Sequence, residues 1–143
     1  MSGMIIKRGM YTRVAGKIES NEGTYFETSM SPAFDIEVAV TDASDDHDIN
    51  ISNTHCRITG IIAFKSGAGG AGDSITIKRV RAGASVDICT ILGVATASDG
   101  DTLVPTGLDI TRTDLQPGDI LRATSVKAAG SPAAELHIAV RIV

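Results

Sequence analysis

His55-Cys56-Arg57-Ile58-Thr59-Gly60-Ile61-Ile62-Ala63-Phe64-Lys65-Ser66, then a Gly- and Ala-rich run (67–72), then Asp73-Ser74-Ile75-Thr76-Ile77-Lys78-Arg79-Val80, is the stretch that decides how the chain is read. Successive side chains of a strand point to opposite sides, so a period of two marks a half-buried strand. Cys56, Ile58, Gly60, Ile62 and Phe64 fall on one face, while His55, Arg57, Thr59 and Lys65 fall on the other. Ile75 and Ile77 alternate with Ser74, Thr76 and Lys78 in the same way. The pattern predicts a strand over 55–66, a flexible glycine tip over 67–72 and a second strand over 73–80, joined as a β-hairpin. Ile61 and Ala63 then sit on the polar face, as Ala39 and Ala139 do on their own strands. Small apolar groups on an outer face suit packing against another protein.

Outward from this stretch, composition supports the same class. The chain has 143 residues, of which 43% are hydrophobic but only 3% aromatic, with no Trp. That length suits one core burying about two-thirds of the unfolded surface. The core must be built from Ile, Val, Leu and Ala, and β-branched residues fit a pleated sheet. Fifteen glycines, with many Ser, Thr and Asp, match the frequent turns of an all-β chain. The net charge of −4, with both signs spread along the sequence, offers no basic stripe for nucleic acid. No apolar run approaches the roughly 20 residues that span a bilayer, and no secretory leader is evident. A soluble, unexported chain is expected, in which the sequon at Asn50, Ile51 and Ser52 carries no glycan. Cys56 and Cys89 lie within apolar strand patterns and are expected as free, buried thiols.

Residues 1–32 form an expected N-terminal arm, with short strands at 4–7 and 11–18 and a turn at Asn21-Glu22-Gly23. Such an arm either pairs with a neighbouring sheet edge or is a mobile terminus. Residues 33–143 form the expected β-sandwich domain. Phe34, Ile36, Val38 and Val40 alternate with polar positions, an acidic turn spans 42–48, and Ile49 and Ile51 follow. Further strands are expected at 86–92, 103–111, 119–126 and 134–143, the last with Leu136, Ile138, Val140 and Ile142 turned inward. Pro117 and Gly118 mark a tight turn, and a single helical turn fits at 113–116. About eight short strands predict an all-β, antiparallel, jelly-roll-like sandwich with an extended N-terminal arm.

The chemical motifs resolve into structure. Gly67, Gly69 and Gly72 have dinucleotide-site spacing, but a strand pattern follows them and no helix start is available to hold a phosphate. Asp42, Asp45, Asp46 and Asp48 supply hard oxygen ligands in one predicted loop and are weak candidates for calcium, without the glycine and glutamate of an EF-hand. Asp99-Gly100-Asp101 reads as a turn. His47, His55 and His137 are scattered, and His55 and Cys56 should point to opposite faces, so no nucleophile and base are paired. No catalytic residue, cofactor site or metal centre is therefore assigned.

The run 57–65, the strand 71–78, the turn 115–119 and the closing Ile138-Ala139-Val140-Arg141-Ile142-Val143 resemble small structural proteins of tailed bacteriophages, in particular jelly-roll capsid decoration (cement) proteins. The resemblance covers about 33–143 and is one of pattern, with no diagnostic motif. It implies a non-enzymatic virion protein, made in the host cytoplasm and seated on the outer capsid surface. It also implies a homo-oligomer, a trimer before a dimer, that clamps major capsid subunits. Met4, Ile5, Ile6, Tyr11, Ala39, Ile61, Ala63 and Ala139 are the expected interface residues, with no direct contact to nucleic acid or membrane. A phage fibre or carbohydrate-binding sandwich is the alternative, although Tyr11, Tyr25, Phe26, Phe34 and Phe64 are few for sugar platforms. A cupin-type metal enzyme would need histidines clustered on adjacent strands.

Overall fold

A computed structural model describes residues 18–20, 23–25, 33–50 and 53–143. The chain divides into two units, Met1–Pro32 and Ala33–Val143. In the first, β1 (Ile18–Ser20) and β2 (Gly23–Tyr25) pair as a small antiparallel hairpin. The strand expected at 4–7, all but the last residue of that expected at 11–18, and the interface residues Met4, Ile5, Ile6 and Tyr11 lie outside the described residues.

The second unit contains β3 (Ala33–Val40), β4 (Asp45–Asn50), β5 (Cys56–Lys65), β6 (Ser74–Arg81), β7 (Ala84–Thr90), β8 (Thr102–Leu103), β9 (Asp114–Leu115), β10 (Ile120–Val126) and β11 (Ala134–Ile142). Two antiparallel sheets result, with orders β3-β11-β5-β8 and β4-β10-β6-β7, and β9 adds to β5. First pairs with last (β3–β11), then β4–β10, then β5–β8, and innermost β6–β7. Successive pairs alternate between the sheets, as if one long hairpin had been rolled up. The domain is an all-β sandwich with jelly-roll order. Among the described residues no helix is long and apolar enough to cross a membrane.

Three expectations about the opening stretch change. β5 and β6 lie in different sheets, so the two strands are not a hairpin. Alternation sets which side chains are buried but not which strand lies alongside. The true hairpin is β6–β7, closed by Ala82 and Gly83, which both take positive φ (50° and 82°), the geometry of a two-residue turn that matches strand twist. Second, a bulge interrupts the β5–β11 ladder. Gly60 pairs with Ala139 and Ile58 with Val140, which leaves Thr59 as the extra residue. The inward set is therefore Cys56, Ile58, Ile61, Ala63 and Lys65, and Ile62 and Phe64 turn outward. Ile61 (8% exposed) and Ala63 (0%) are core residues rather than outer-face contacts. Third, the glycine loop is held tightly and is not a free tip.

The core fills the space between the sheets with Val38, Val40, Ile58, Leu136, Ile138 and Val140 on one side and Ile75, Ile77, Leu121 and Ala123 on the other. Cys56 and Cys89 are buried free thiols, and burial pushes the Cys89 thiol up to about 11. Of the expected strand over 103–111 only Leu103 lies in a strand, as the end of β8, and residues 113–116 contain β9 rather than a helical turn. The acidic segment is also reassigned: β4 begins at Asp45, so three of the four aspartates lie on a strand.

Candidate interaction surface

Most of the polar chemistry flagged by the sequence ties loops together. At one end of the sandwich Lys65, only 2% exposed, points inward from the end of β5. Its Nζ donates to the carbonyls of Gly67 (2.8 Å), Ser131 (2.5 Å) and Ala133 (3.2 Å). Burial lowers the pKa of this ammonium, and the charges of Asp73, Asp42 and Asp99 oppose that shift. Asp73, also buried, accepts from the N–H groups of Gly70 (2.8 Å) and Ala128 (2.6 Å) and from Gly130. Its burial disfavours the charge, but these backbone donors outweigh that and hold the carboxyl below its usual range. Gly69, Gly70 and Gly130 have no room for a side chain, because added methyls would meet the backbone of Val94, Gly130 and Gly70 respectively. Of the dinucleotide-like spacing, Gly69 thus serves close packing of the loops at 67–73 and 94–101, while Gly67 and Gly72 take positive φ (86° and 92°).

A second set of locks closes the β9–β10 turn. Asp119 receives two donors from Arg81 (Nε 2.9 Å to Oδ1; a terminal nitrogen 2.6 Å to Oδ2) and the Gln116 N–H (2.8 Å). The Arg81 guanidinium holds the Asp119 carboxyl below the usual carboxylate range. His55 Nε2 lies 2.9 Å from Asp114 Oδ1, and Arg57 stands 3.7 Å from the same oxygen. Cys56 is buried on the opposite face from this His–Asp pair, so the two do not meet.

The three histidines do not meet. His47 is half-buried beside Ser125 (3.4 Å), His55 stays with Asp114, and His137 lies on the outer face of the other sheet. Among the described residues no group of three or more His, Cys, Asp or Glu could hold a metal ion. The acidic residues that are weak calcium candidates have cationic or hydroxyl partners. Asp42 pairs with Lys127 (2.6 Å), Asp48 takes Arg122 Nε (2.6 Å) and a terminal nitrogen (2.8 Å), and Asp46 accepts from Thr124 (2.7 Å). Asp45 starts β4, its backbone N–H 3.3 Å from the Ser125 hydroxyl.

The two outer faces differ. On the β4-β10-β6-β7 sheet, Asp48, Arg122, Lys78 and Asp87 form a row of charges across the strands, basic in the middle and acidic at both ends. On the β3-β11-β5 face the cross-strand rows are Ala39, Glu135 and Phe64; then Glu37, His137 and Ile62; then Asp35, Ala139 and Gly60. Ile62 and Phe64 are the outward apolar residues of β5, and Phe64 packs edge-on against His137 with ring centroids 5.4 Å apart. Ala39 is exposed and Ala139 half-buried, so these two expected contacts do face outward. An open groove of about 330 Å³ lies over Gly60 and Ala139, lined also by Asp35, Ile61, Ile62 and His137. It exists because Gly60 lacks a side chain and Ala139 has only a methyl. Phe64 is the one aromatic on this face among the described residues, which is no platform for a sugar.

Sequence reasoning placed the apolar strip on the right strand and the wrong residues. The only available signal for the bulge was Gly60 itself, a residue that interrupts strands without specifying a phase change.

No family model, curated protein or solved structure matches the chain.

Proposed function

We infer that the chain is a structural virion protein that decorates and stabilises an icosahedral phage capsid, binding major capsid subunits as an oligomer. The single structural observation that carries this reading is the outer face built by Ala39, Ala139, Ile62 and Phe64 on a sandwich whose loops are locked by Lys65, Asp73 and Asp119. Jelly rolls serve viral shells, lectins and cupins alike, so architecture alone does not choose among these. The resemblance of the β5 and β11 segments to decoration proteins is what points to a capsid.

A strip of this size is small beside the roughly 800 Å² per partner of a stable interface, so one contact would be weak. Repetition over an oligomer and over the shell makes weak contacts effective by avidity. The mechanism is mechanical: a stiff sheet bridging neighbouring subunits opposes their separation when the shell expands.

The test is to mix the purified chain with expanded, undecorated heads, measure co-sedimentation, and follow the temperature at which the heads rupture. An oligomer that binds and raises that temperature supports the reading. A monomer that leaves the heads unbound and equally fragile overturns it.

A further inference from the structure

The flank of the sandwich where β7 and β8 lie is built from two stretches without charge: residues 88–98 and 102–108 contain no Asp, Glu, Lys or Arg. They meet along this flank. Thr102 stands opposite Phe64 where β8 pairs with β5. Further along, the same segment has crossed to the other sheet, where the Leu92 N–H donates to the Val104 carbonyl (3.0 Å) and the Thr106 N–H to the Thr90 carbonyl (2.9 Å). A bridge between Ile91 and Pro105 fixes the register. Ile91 is buried and Leu103 and Pro105 are half-buried, so the residues that alternate with them point out. Leu92 (52% exposed) and Val104 (54%) therefore stand side by side in solvent. Phe64 (38%) lies beyond Thr102, and the exposed Thr90, Thr102 and Thr106 surround the pair. Single exposed apolar residues are ordinary on a surface, whereas an apolar centre with an uncharged, hydroxyl-bearing rim has the composition of a protein interface.

We propose that this flank binds the same flank of a second copy of the chain about a two-fold axis. Charge selects the occupant. The chain carries −4, and both outer faces hold charged groups: Asp35, Glu37 and Glu135 on one, and the row from Asp48 to Asp87 on the other. In a two-fold contact each patch meets an identical patch, so a charged one sets like charges against each other unless both signs fall into register. A neutral flank escapes that cost, and Leu92 and Val104 leave water on both copies at once. An unrelated partner could bring cations and would gain more at the acidic positions than here. Asp101, the carboxylate next to Thr102, marks one end of the flank, and the two-fold axis places the two copies of it at opposite ends. The contact uses neither Ala39 nor Ala139, so it stands apart from the capsid reading.

The experiment uses the full chain, without capsids, so that its outcome is separate from that of head binding. Sedimentation velocity over a range of concentrations should show assembly that stops at two copies, because a two-fold contact consumes the flank of each. Raising the salt to about 1 M, where the screening length falls to about 3 Å, should leave the association unchanged or strengthen it, as an apolar contact requires. Leu92→Asp and Val104→Asp should each weaken it by about tenfold or more, since each places two carboxylates in the contact. Both side chains are more than half exposed, and circular dichroism melts check that the variants fold. Thr106→Asp removes no large apolar group and should also dissociate the pair, so a folding defect in either of the others does not remove the test. Val126→Asp, at an exposed position (43%) on β10, is the control and should associate like the native chain. A monomer at every concentration, a complex that salt dissociates, growth past two copies, or association that survives all three flank substitutions would each overturn the proposal.

Discussion

Replacing Gly130 by alanine tests whether the glycine loops are a packed joint or merely permissive chain. A methyl at Gly130 would stand 2.3 Å from the Gly70 nitrogen, 2.4 Å from the Gly69 carbonyl carbon and 2.8 Å from Asp73 Oδ2. Non-bonded heavy atoms rest at about 3.5–4.0 Å, so the two loops must part by roughly 1 Å. The near neighbours are backbone and cannot rotate away. Separation also stretches the N–H donors that Gly70 and Ala128 give to Asp73 and the carbonyls held by Lys65. Overpacking of this kind costs about 1–3 kcal/mol, and a rigid backbone contact puts it near about 3 kcal/mol. In a domain of this size that lowers the melting temperature by about 10–15 °C. Gly100→Ala is the control: its φ is +91°, but nothing lies within 4 Å of the added methyl. Only backbone strain of about 1–2 kcal/mol is expected there. Thermal melts followed by circular dichroism read both variants. If Gly130→Ala melts within about 3 °C of the native chain, or falls no further than Gly100→Ala, the packed-joint reasoning is wrong.

The bulge at Thr59 predicts that Ile61→Ala costs about 3 kcal/mol through a core cavity, while Ile62→Ala costs under about 1 kcal/mol, as measured by urea unfolding; reversed magnitudes would restore an unbroken alternation. Asp119 and Asp48 are held below their ordinary values by Arg81 and Arg122, so their stabilisation is complete above the unfolded carboxyl value of about 3.9 and is lost as pH falls through the lower folded values. Asp119→Asn should cost about 2 kcal/mol at neutral pH and flatten the acid limb of a stability–pH curve; an unchanged limb would count against the Arg81 lock. With Cys89 at about 11 and Cys56 raised by burial, an aromatic disulfide reagent at pH 8 should label neither thiol until the chain unfolds, and prompt labelling of the native protein would contradict the burial of both.

Much of the strand content was legible because β3 and β11 carry unbroken alternation over eight and nine residues. What alternation cannot encode is the partner, and β5 and β6 read as a hairpin although their partners are β11 and β10. The Ala82-Gly83 turn escaped notice because alanine rarely takes positive φ, so only half of its signal was present. The acidic cluster reads as a turn for a related reason. Asp46 and Asp48 look like a loop until Arg122 and Thr124 arrive from a strand more than 70 residues away. The candidate surface was legible in kind, as outward apolar residues on β5. One extra residue exchanged Ile61 and Ala63 for Ile62 and Phe64.

The position of β10 and β11 has a consequence for how the sandwich comes into being. Each is the inner strand that joins two earlier neighbours, β4 with β6 and β3 with β5. Until both have left the ribosome, β3 and β4 have no partners, and β5 and β6 expose inner faces rich in Ile. Folding must await the emergence of both strands and then close ladders between residues as far apart as Ala33 and Arg141, a separation that makes for slow assembly. During that interval the nascent chain is a set of unpaired edges, and in a cell making many copies at once its yield is set by how fast the last two strands insert compared with how often two unfinished chains collide.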